Sequence, residues 1–304
     1  MEKLTFAQKR VKHLVESFED LEPEHQSDVL DQIKYQGALR AIQEVAKTKT
    51  ASFGDLYEIA AYRQQFFNKY EGFGTGLKYF DDATMGFRPG EVTIIAGPSN
   101  YGKTMIALNI VTSLAEKALK RVLIISTEMT KEEIATRLFN IADDHETVKD
   151  LMLVQTELSV SVDHIAAMIK RDKPDIVLID HLQFLANTES GSEYERINRS
   201  MARVKRLAIT ANIPIILISH VSKARSGKLG EATASDLKGS SSIEQDSDIV
   251  LMINRLADQK QGDQLIVTCV KHRTKRPRVF YENCIIQLKG IKVINNGEYT
   301  VFIK

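Results

Sequence analysis

The segment GPSNYGKT, Gly97 to Thr104, fits the phosphate-binding pattern G-x-x-x-x-G-K-[ST]. Glycines at both ends let such a loop curl until backbone N–H groups face a phosphate. The lysine then reaches the terminal phosphates and the hydroxyl faces Mg²⁺. The loop lies between a predicted strand, VTIIAG, and a predicted helix, so it predicts a nucleotide site; the alternative is a glycine-rich turn. The predicted contacts are Gly97, Pro98, Ser99, Asn100, Tyr101, Gly102, Lys103 and Thr104.

Three more polar residues follow apolar runs that are typical of buried strands. Asp180 ends DIVLID and is predicted to bind the metal, because α/β sheets hold ligands at the carboxyl ends of their strands; otherwise it caps the next helix. Glu128 follows RVLIIS and is a candidate general base, or else an exposed surface acid. His220 ends IPIILISH and is a candidate γ-phosphate contact, or else a surface histidine.

A basic run, VKHRTKRPRV, spans Val270 to Val279 and contains five lysines or arginines and a histidine. Charge alone does not distinguish a nucleic-acid surface from a solvated loop. The net charge of the chain is only +1, so any surface for a polyanion must be local.

The elements that must position these residues change character near residue 71. Residues 1–70 show helical spacing, including FGDLYEIAAYRQQFF, and the glycine-rich YEGFGTGLKYFDDATMGFRPGE then predicts loops and a boundary. From there to residue 304, apolar strands alternate with helices, among them Lys131 to Ala142 and a helix with Ile197, Met201, Val204 and Leu207 on one stripe. This pattern predicts an α/β domain with a mostly parallel sheet, flanked by helices and extended by C-terminal hairpins.

Composition predicts a soluble protein of cytoplasmic type. The apolar runs are shorter than the roughly 20 residues of a membrane helix, so no membrane partner is expected. The two cysteines, Cys269 and Cys284, lie in alternating apolar runs and predict neither a disulfide framework nor a metal site.

Six motifs in order resemble the ATPase domain of the DnaB-type hexameric replicative helicases, including phage primase-helicases. They are GFRPGEVTIIAGPSNYGKT, IISTEMT, DIVLIDHLQFL, IPIILISHVSK, SDLKGSSSIEQDSDIVLMINR and LIVTCVKHRT. The resemblance covers about three quarters of the chain, and SSSIEQDSDIVLMINR is its most specific part. It implies a RecA-like P-loop core.

The resemblance also implies roles for individual residues. Lys103 and Thr104 match the P-loop pair, Glu128 the catalytic glutamate and Asp180 the metal-associated aspartate. His220 falls where many members carry glutamine and phage members carry histidine, at a position implicated in sensing the γ-phosphate.

Two further assignments concern DNA and the neighbouring subunit. By this resemblance DLKGS falls on the loop that lines the central channel, so Lys238, Gly239 and Ser240 are the expected DNA contacts. The family usually has arginine where this chain has Lys238; lysine keeps the positive charge but cannot make the two parallel hydrogen bonds of a guanidinium to a phosphate. In KHR, Arg273 resembles the arginine finger that reaches a neighbour's nucleotide, and Lys271 resembles its companion.

By resemblance the protein is an ATP- and Mg²⁺-dependent hydrolase, a homo-oligomer expected as a hexamer, acting on single-stranded and forked duplex DNA. Candidate partners are a primase or a helicase loader, although the roughly seventy residues before the ATPase domain are fewer than the family's usual collar and linker, and no primase domain is present. The helix FGDLYEIAAYRQQFF docks on a neighbouring subunit or packs on its own domain. Two alternatives remain, a RecA-like or recombinase-paralogue ATPase that binds single-stranded DNA without unwinding, and a KaiC-like regulatory ATPase.

Overall fold

The fold was obtained as a computed structural model of the 304-residue chain. The structure describes residues 72–157, 160–186, 190–220, 243, 245–254, 264–273, 283–293 and 300–302. All of them belong to one compact unit, Gly72–Lys304. The helical segment expected over residues 1–70 lies outside the described residues and stays a prediction, as does its boundary.

Seven helices and ten strands occur among the described residues. The helices are α1 (Lys78–Thr84), α2 (Lys103–Ala118), α3 (Lys131–Ile141), α4 (His145–Leu151), α5 (Val162–Asp172), α6 (Leu182–Ala186) and α7 (Glu193–Ala211). The strands are β1 (Val92–Gly97), β2 (Val122–Ser126), β3 (Met152–Gln155), β4 (Ile176–Asp180), β5 (Ile215–His220), β6 (Ile249–Asn254), β7 (Gln264–His272), β8 (Asn283–Lys289), β9 (Lys292–Val293) and β10 (Thr300–Phe302).

The ten strands form a single sheet in the order β10-β8-β7-β6-β1-β5-β4-β2-β3, with β9 paired to β8. The pairs from β6 to β3 are parallel, whereas β7, β8, β9 and β10 pair antiparallel. Strands β1, β2, β4 and β6 are buried along their whole length because helices cover both faces. This is the predicted α/β fold with its C-terminal antiparallel extension.

Local sequence signals start the two helices that were predicted most directly. Thr130 accepts the N–H of Glu133 at 3.2 Å, and the Glu133 carboxylate accepts the N–H of Thr130 at 2.9 Å, so a capping box begins α3. Ser192 and Glu195 form the same box at α7. The stripe on α7 packs into the core: Ile197, Met201 and Val204 are buried and Leu207 is partly buried.

The glycine-rich segment contains a helix that the loop prediction missed. Asp81 in α1 accepts the N–H groups of Thr75 and Gly76 at 2.6 and 2.8 Å, which fixes the chain before the helix. Tyr79 and Phe80 are buried in the core. Tertiary burial of two aromatic rings therefore outweighs the local preference of the surrounding glycines for loops.

Cys269 and Cys284 are both buried free thiols. None of the helices in the described part of the chain combines the length and apolar character needed to cross a membrane. The parallel strands end at one edge of the sheet, where Gly97 of β1 pairs with His220 of β5 and Ser126 of β2 pairs with Asp180 of β4. Any ligand site built from strand ends must lie there.

Candidate nucleotide site

The phosphate-binding loop joins the end of β1 to the start of α2, in the strand–loop–helix context that the motif requires. Gly102, directly before α2, has φ of 84°, a left-handed value that favours glycine. A Cβ at Gly97 would lie 2.5 Å from the carbonyl oxygen of Ile253 in β6, closer than real Cβ atoms come. Both glycines are thus needed by the backbone, and the loop ends on the N-terminus of a 16-residue helix, which attracts anions.

Lys103 is buried beneath this loop, and its Nζ donates to the carbonyl oxygen of Pro98 at 2.8 Å. Burial lowers the pKa of its ammonium group, whereas the nearby carboxylates of Asp180 and Glu128 raise it. Lys103 therefore lies between the backbone of its own loop and two acids, one at the end of β4 and one just after β2.

Thr104 and Asp180 bring two oxygen ligands together. The Thr104 hydroxyl donates to Oδ2 of Asp180 at 3.0 Å. Asp180 is only 2% exposed, and its Oδ1 has no hydrogen-bond partner among the described residues. Hydroxyl and carboxylate oxygens are donors that suit Mg²⁺, which usually keeps several waters as well. This carboxylate oxygen lies 3.7 Å from Nδ1 of His181, too far for a hydrogen bond, and it fits an ion or its water at this position.

Glu128, His181 and His220 form a compact polar cluster beside Asp180. Oε1 of Glu128 lies 3.4 Å from Nδ1 of His181 and 3.6 Å from Nε2 of His220. The two imidazole rings meet edge to face, with centroids 4.4 Å apart. The structure therefore brings Glu128 and His220 together, as expected from their strand ends, and adds a second histidine.

His220 connects this cluster to the phosphate-binding loop. Its Nδ1 lies 3.4 Å from the hydroxyl oxygen of Ser99. Burial lowers the pKa of His220, and the charges of Lys103 and His181 lower it further, while Glu128 opposes them. The lowered pKa favours the neutral ring, which is suited to hydrogen bonding.

Lys271 and Arg273 lie at the opposite edge of the sheet. Strand β7 runs antiparallel to β6 and places His272 beside Ile249, at the start of β6. Because β6 is parallel to β1, this is the edge at which β1 begins, and six residues of β1 separate it from the loop, about 16 Å. The structure therefore does not bring Lys271 or Arg273 to the nucleotide site of their own chain.

The basic pair is held by the residues before β6. The Lys271 ammonium donates to the carbonyl oxygen of Ser247 at 2.6 Å, and the Arg273 guanidinium donates to that of Gln245. Arg273 also lies 3.4 Å from Oδ1 of Asp248, and its backbone N–H donates to the Asp248 carbonyl at 2.7 Å. The Arg273 side chain is 45% exposed, so it remains accessible at the surface of the described unit.

Asp248 is a buried carboxylate at the centre of this edge. Its Oδ2 accepts the N–H of Val92 at 2.8 Å and the Lys205 ammonium at 2.5 Å. Lys205 donates as well to the carbonyl oxygen of Gly90 at 2.9 Å. One carboxylate thus joins the start of β1, helix α7 and Arg273.

His181 and Asp248 had no role in the sequence-based prediction. His181 had a usable signal, because it directly follows Asp180 at a strand end. Asp248 also had one, as an acid directly before the apolar run IVLMIN. The expected DNA contacts Lys238, Gly239 and Ser240 lie outside the described residues.

The sequence is similar to a known protein family and to several known proteins. A protein-family model described as an AAA domain matches residues 64–226, more than half of the chain. A probable replicative DNA helicase of Trieres chinensis is 28% identical over 232 residues, which are 65% of this chain and 51% of that protein. The chain spans about half the length of the curated relatives it matches first.

Two solved structures have the same fold. The first, an ATPase domain, matches with a TM-score of 0.67 and 19% identity, covering 84% of this chain and 100% of that one. The second, a DnaB-like replicative helicase solved in a study of its interactions with primase, matches with a TM-score of 0.62 and 21% identity, covering 90% of this chain and 78% of that one. The resemblance to DnaB-type helicases and the RecA-like fold are thereby confirmed.

Proposed function

Because this chain belongs to the AAA domain family and has replicative DNA helicases among its relatives, we propose that it is an ATP-driven helicase that unwinds DNA during replication. One observation carries the proposal: the phosphate-binding loop meets Asp180, Glu128 and His220 at one edge of a parallel sheet. Nucleotide hydrolysis requires a loop that binds phosphate, a carboxylate that binds the metal ion and a carboxylate that accepts a proton from the attacking water.

ATP binding is assigned to the loop from Gly97 to Thr104. Backbone N–H groups at the start of α2 face the phosphates, and Lys103 adds a positive charge at the terminal ones. Thr104 and Asp180 would hold Mg²⁺, which when bound neutralises charge that develops on the phosphate oxygens.

Hydrolysis is assigned to Glu128 as general base. Its side chain is 41% exposed, so water can reach the carboxylate. As the water oxygen bonds to the γ-phosphorus and the bond to ADP breaks, Glu128 takes the water proton. His220 stands between Glu128 and Ser99, a position from which its ring would contact the γ-phosphate.

Arg273 and Lys271 are assigned to the neighbour's ATP. Their edge of the sheet is a strand length from their own loop, which supports action on a second copy of the chain. An arginine supplied in this way typically accelerates hydrolysis about 10³–10⁵-fold. The proposal therefore includes a homo-oligomer, with a hexameric ring as the expected form.

Single-stranded DNA is the proposed track, held by Lys238, Gly239 and Ser240 through its phosphates. A forked duplex is the proposed substrate, a primase or a helicase loader are the proposed protein partners, and the cytoplasm is the proposed location. These assignments rest on the resemblance and on the names of the relatives.

Mixing two inactive variants tests the proposal. Arg273→Ala keeps the nucleotide loop and should bind ATP almost normally, whereas Lys103→Ala keeps the arginine. Each alone should lose DNA-stimulated ATP hydrolysis. In a 1:1 mixture about a quarter of the interfaces join an intact loop to an intact arginine, so about a quarter of the activity should return.

Failure of the mixture to regain activity would refute action in trans, and a fully active Arg273→Ala protein would refute the arginine assignment. Arg171→Ala is a matched control, because Arg171 also pairs with an aspartate, Asp172, but is 72% exposed. Its hydrolysis rate should stay within about twofold of wild type.

A strand-displacement assay on a forked duplex distinguishes the helicase from the two alternatives. ATP-dependent strand displacement supports the helicase. Binding or pairing of single strands without displacement would favour the recombinase-like protein, and ATP hydrolysis that ignores single-stranded DNA would favour the KaiC-like regulator.

A further inference from the structure

Three potential metal ligands converge beside the nucleotide loop. A carboxylate oxygen of Glu128 and one ring nitrogen each from His181 and His220 all lie within 4.8 Å of one another. The carboxylate Oε1 is common to both short separations, 3.4 Å to His181 and 3.6 Å to His220. One oxygen thus faces two imidazole nitrogens at nearly equal distance.

These separations are long for direct hydrogen bonds and close to the spacing of two ligands on one metal ion. Both exceed the roughly 2.7–3.2 Å of a normal N–H···O bond. Ligands bound tetrahedrally at the 2.0–2.1 Å typical of zinc are separated by about 3.3 Å. The observed 3.4 and 3.6 Å are close to that tetrahedral edge, and all three ligand atoms lie within 4.8 Å of one another, so their positions are compatible with a small ion once the two imidazoles close on it.

The surroundings also suit a metal. His181 is buried, and Nδ1 of His220 lies 3.4 Å from the Ser99 hydroxyl, so the ring nitrogen not facing Glu128 has a polar partner that orients the ring. The Glu128 side chain is 41% exposed, which provides an entry path and a fourth position for water. Two imidazoles and one carboxylate select zinc-like transition ions over Mg²⁺, which prefers oxygen ligands.

We propose that Glu128, His181 and His220 form a three-ligand site for Zn²⁺ or a similar first-row transition ion, next to but distinct from the magnesium position at Thr104 and Asp180. Metal binding itself is independent of the proposed function. Its consequence rests on that function, since a metal on Glu128 and His220 occupies the base and the γ-phosphate contact and so inhibits ATP hydrolysis.

Equilibrium dialysis of the full chain with Zn²⁺, in the absence of nucleotide, tests the site directly. One tight equivalent should bind per chain. His181→Asn and His220→Gln should each lower the affinity for Zn²⁺ at least about tenfold, because mutating even the residues that hydrogen-bond to metal ligands typically lowers metal affinity by that factor. His164→Ala is the matched control and should leave binding unchanged, because His164 is an exposed residue of α5.

Co²⁺ provides a spectroscopic readout that a merely structural role of the histidines would not produce. The wild-type chain should show the intense visible bands of tetrahedral Co²⁺, and both histidine variants should lose them while keeping the wild-type circular dichroism spectrum. Absence of a tight equivalent, or binding that survives in both variants, overturns the proposal.

Inhibition is measured separately, as ATP hydrolysis at constant excess Mg²⁺ with increasing Zn²⁺. We expect Zn²⁺ to abolish hydrolysis and a zinc-selective chelator to restore it. If the chain binds Zn²⁺ but hydrolyses no ATP at all, the proposed function fails while the metal site stands. If ATP hydrolysis is normal and Zn²⁺ does not bind, the metal site fails alone.

Discussion

Replacing Asp248 by asparagine should destabilise the protein strongly. The change keeps the size of the side chain and one oxygen that can accept the N–H of Val92. It removes the negative charge that lies 2.5 Å from the ammonium of Lys205 and 3.4 Å from the guanidinium of Arg273. The Lys205 charge is then left without its carboxylate at a largely buried position, since its side chain is only 15% exposed.

The expected loss is about 3 kcal/mol of unfolding free energy. Removing one partner from a buried ion pair typically costs about 3–5 kcal/mol, because the other charge stays desolvated. The lower end applies here because Lys205 keeps its bond to the carbonyl oxygen of Gly90, and because the asparagine oxygen still accepts the N–H of Val92.

Urea unfolding of the full chain, followed by circular dichroism, measures this loss. Asp163→Asn is the matched control: Asp163 also pairs with an arginine, Arg203 at 2.7 Å, but the aspartate side chain is 81% exposed. Its loss should be about 0.2–1 kcal/mol. Lys205→Met completes a double-mutant cycle with Asp248→Asn, and the double variant should be about 2 kcal/mol more stable than the sum of the single losses predicts.

Two results would refute this reasoning. A loss for Asp248→Asn as small as that of Asp163→Asn would mean that the buried charge contributes little. Strict additivity in the cycle would mean that Asp248 and Lys205 do not interact, whatever the cost of each single change.

Three further variants test other parts of the structure. Burial lowers the pKa of His272, so the folded protein, which holds the ring in its neutral form, loses stability as pH falls below the ordinary histidine pKa near 6.5, by at most about 1.4 kcal/mol per pH unit. His272→Gln should therefore reduce the change in the urea midpoint between pH 7 and 5. An unchanged pH dependence of the midpoint would contradict this. Gly97→Ala pushes a methyl group into the backbone of β6, so it should lower the free energy of unfolding by about 1–3 kcal/mol and abolish ATP binding. Gly74→Ala is its control: the added Cβ would meet only ordinary contacts, so the free energy of unfolding should change by less than about 0.5 kcal/mol. Thr104→Val removes the hydroxyl that reaches the buried aspartate and should raise the Mg²⁺ concentration needed for ATP hydrolysis about tenfold or more, so an unchanged Mg²⁺ titration would remove Thr104 from the metal site.

The fold was largely predictable because its central strands are continuous apolar runs. VTIIAG, RVLIIS, DIVLID and IPIILIS became β1, β2, β4 and β5, and their shared direction follows from the helices between them. Strand β3 was not predicted, because MLVQ is short, half-buried and stabilised by pairing with β2 on only one side. Its structure depends on a distant partner rather than on its own pattern.

The grouping of residues at the candidate nucleotide site was predictable for a related reason. Residues at the ends of parallel strands meet at one edge, which is why Asp180, Glu128 and His220 lie together around the loop. The environment of Asp248 was not predictable, because its partners Lys205 and Val92 lie 43 and 156 residues away in the sequence. Side-chain contacts of this kind follow from the sheet order, which the local pattern does not contain.

The sheet also separates the two halves of the proposed reaction. The loop, Asp180 and Glu128 occupy the edge where β1 ends, whereas Asp248 holds Arg273 at the edge where β1 begins. Under the proposed mechanism, a chain with this geometry holds the groups assigned to ATP binding, whereas its own Arg273 lies a strand length away from them. Under the proposed mechanism, binding is therefore a property of one chain, while fast hydrolysis requires two chains in contact, so the position of the neighbour controls the rate.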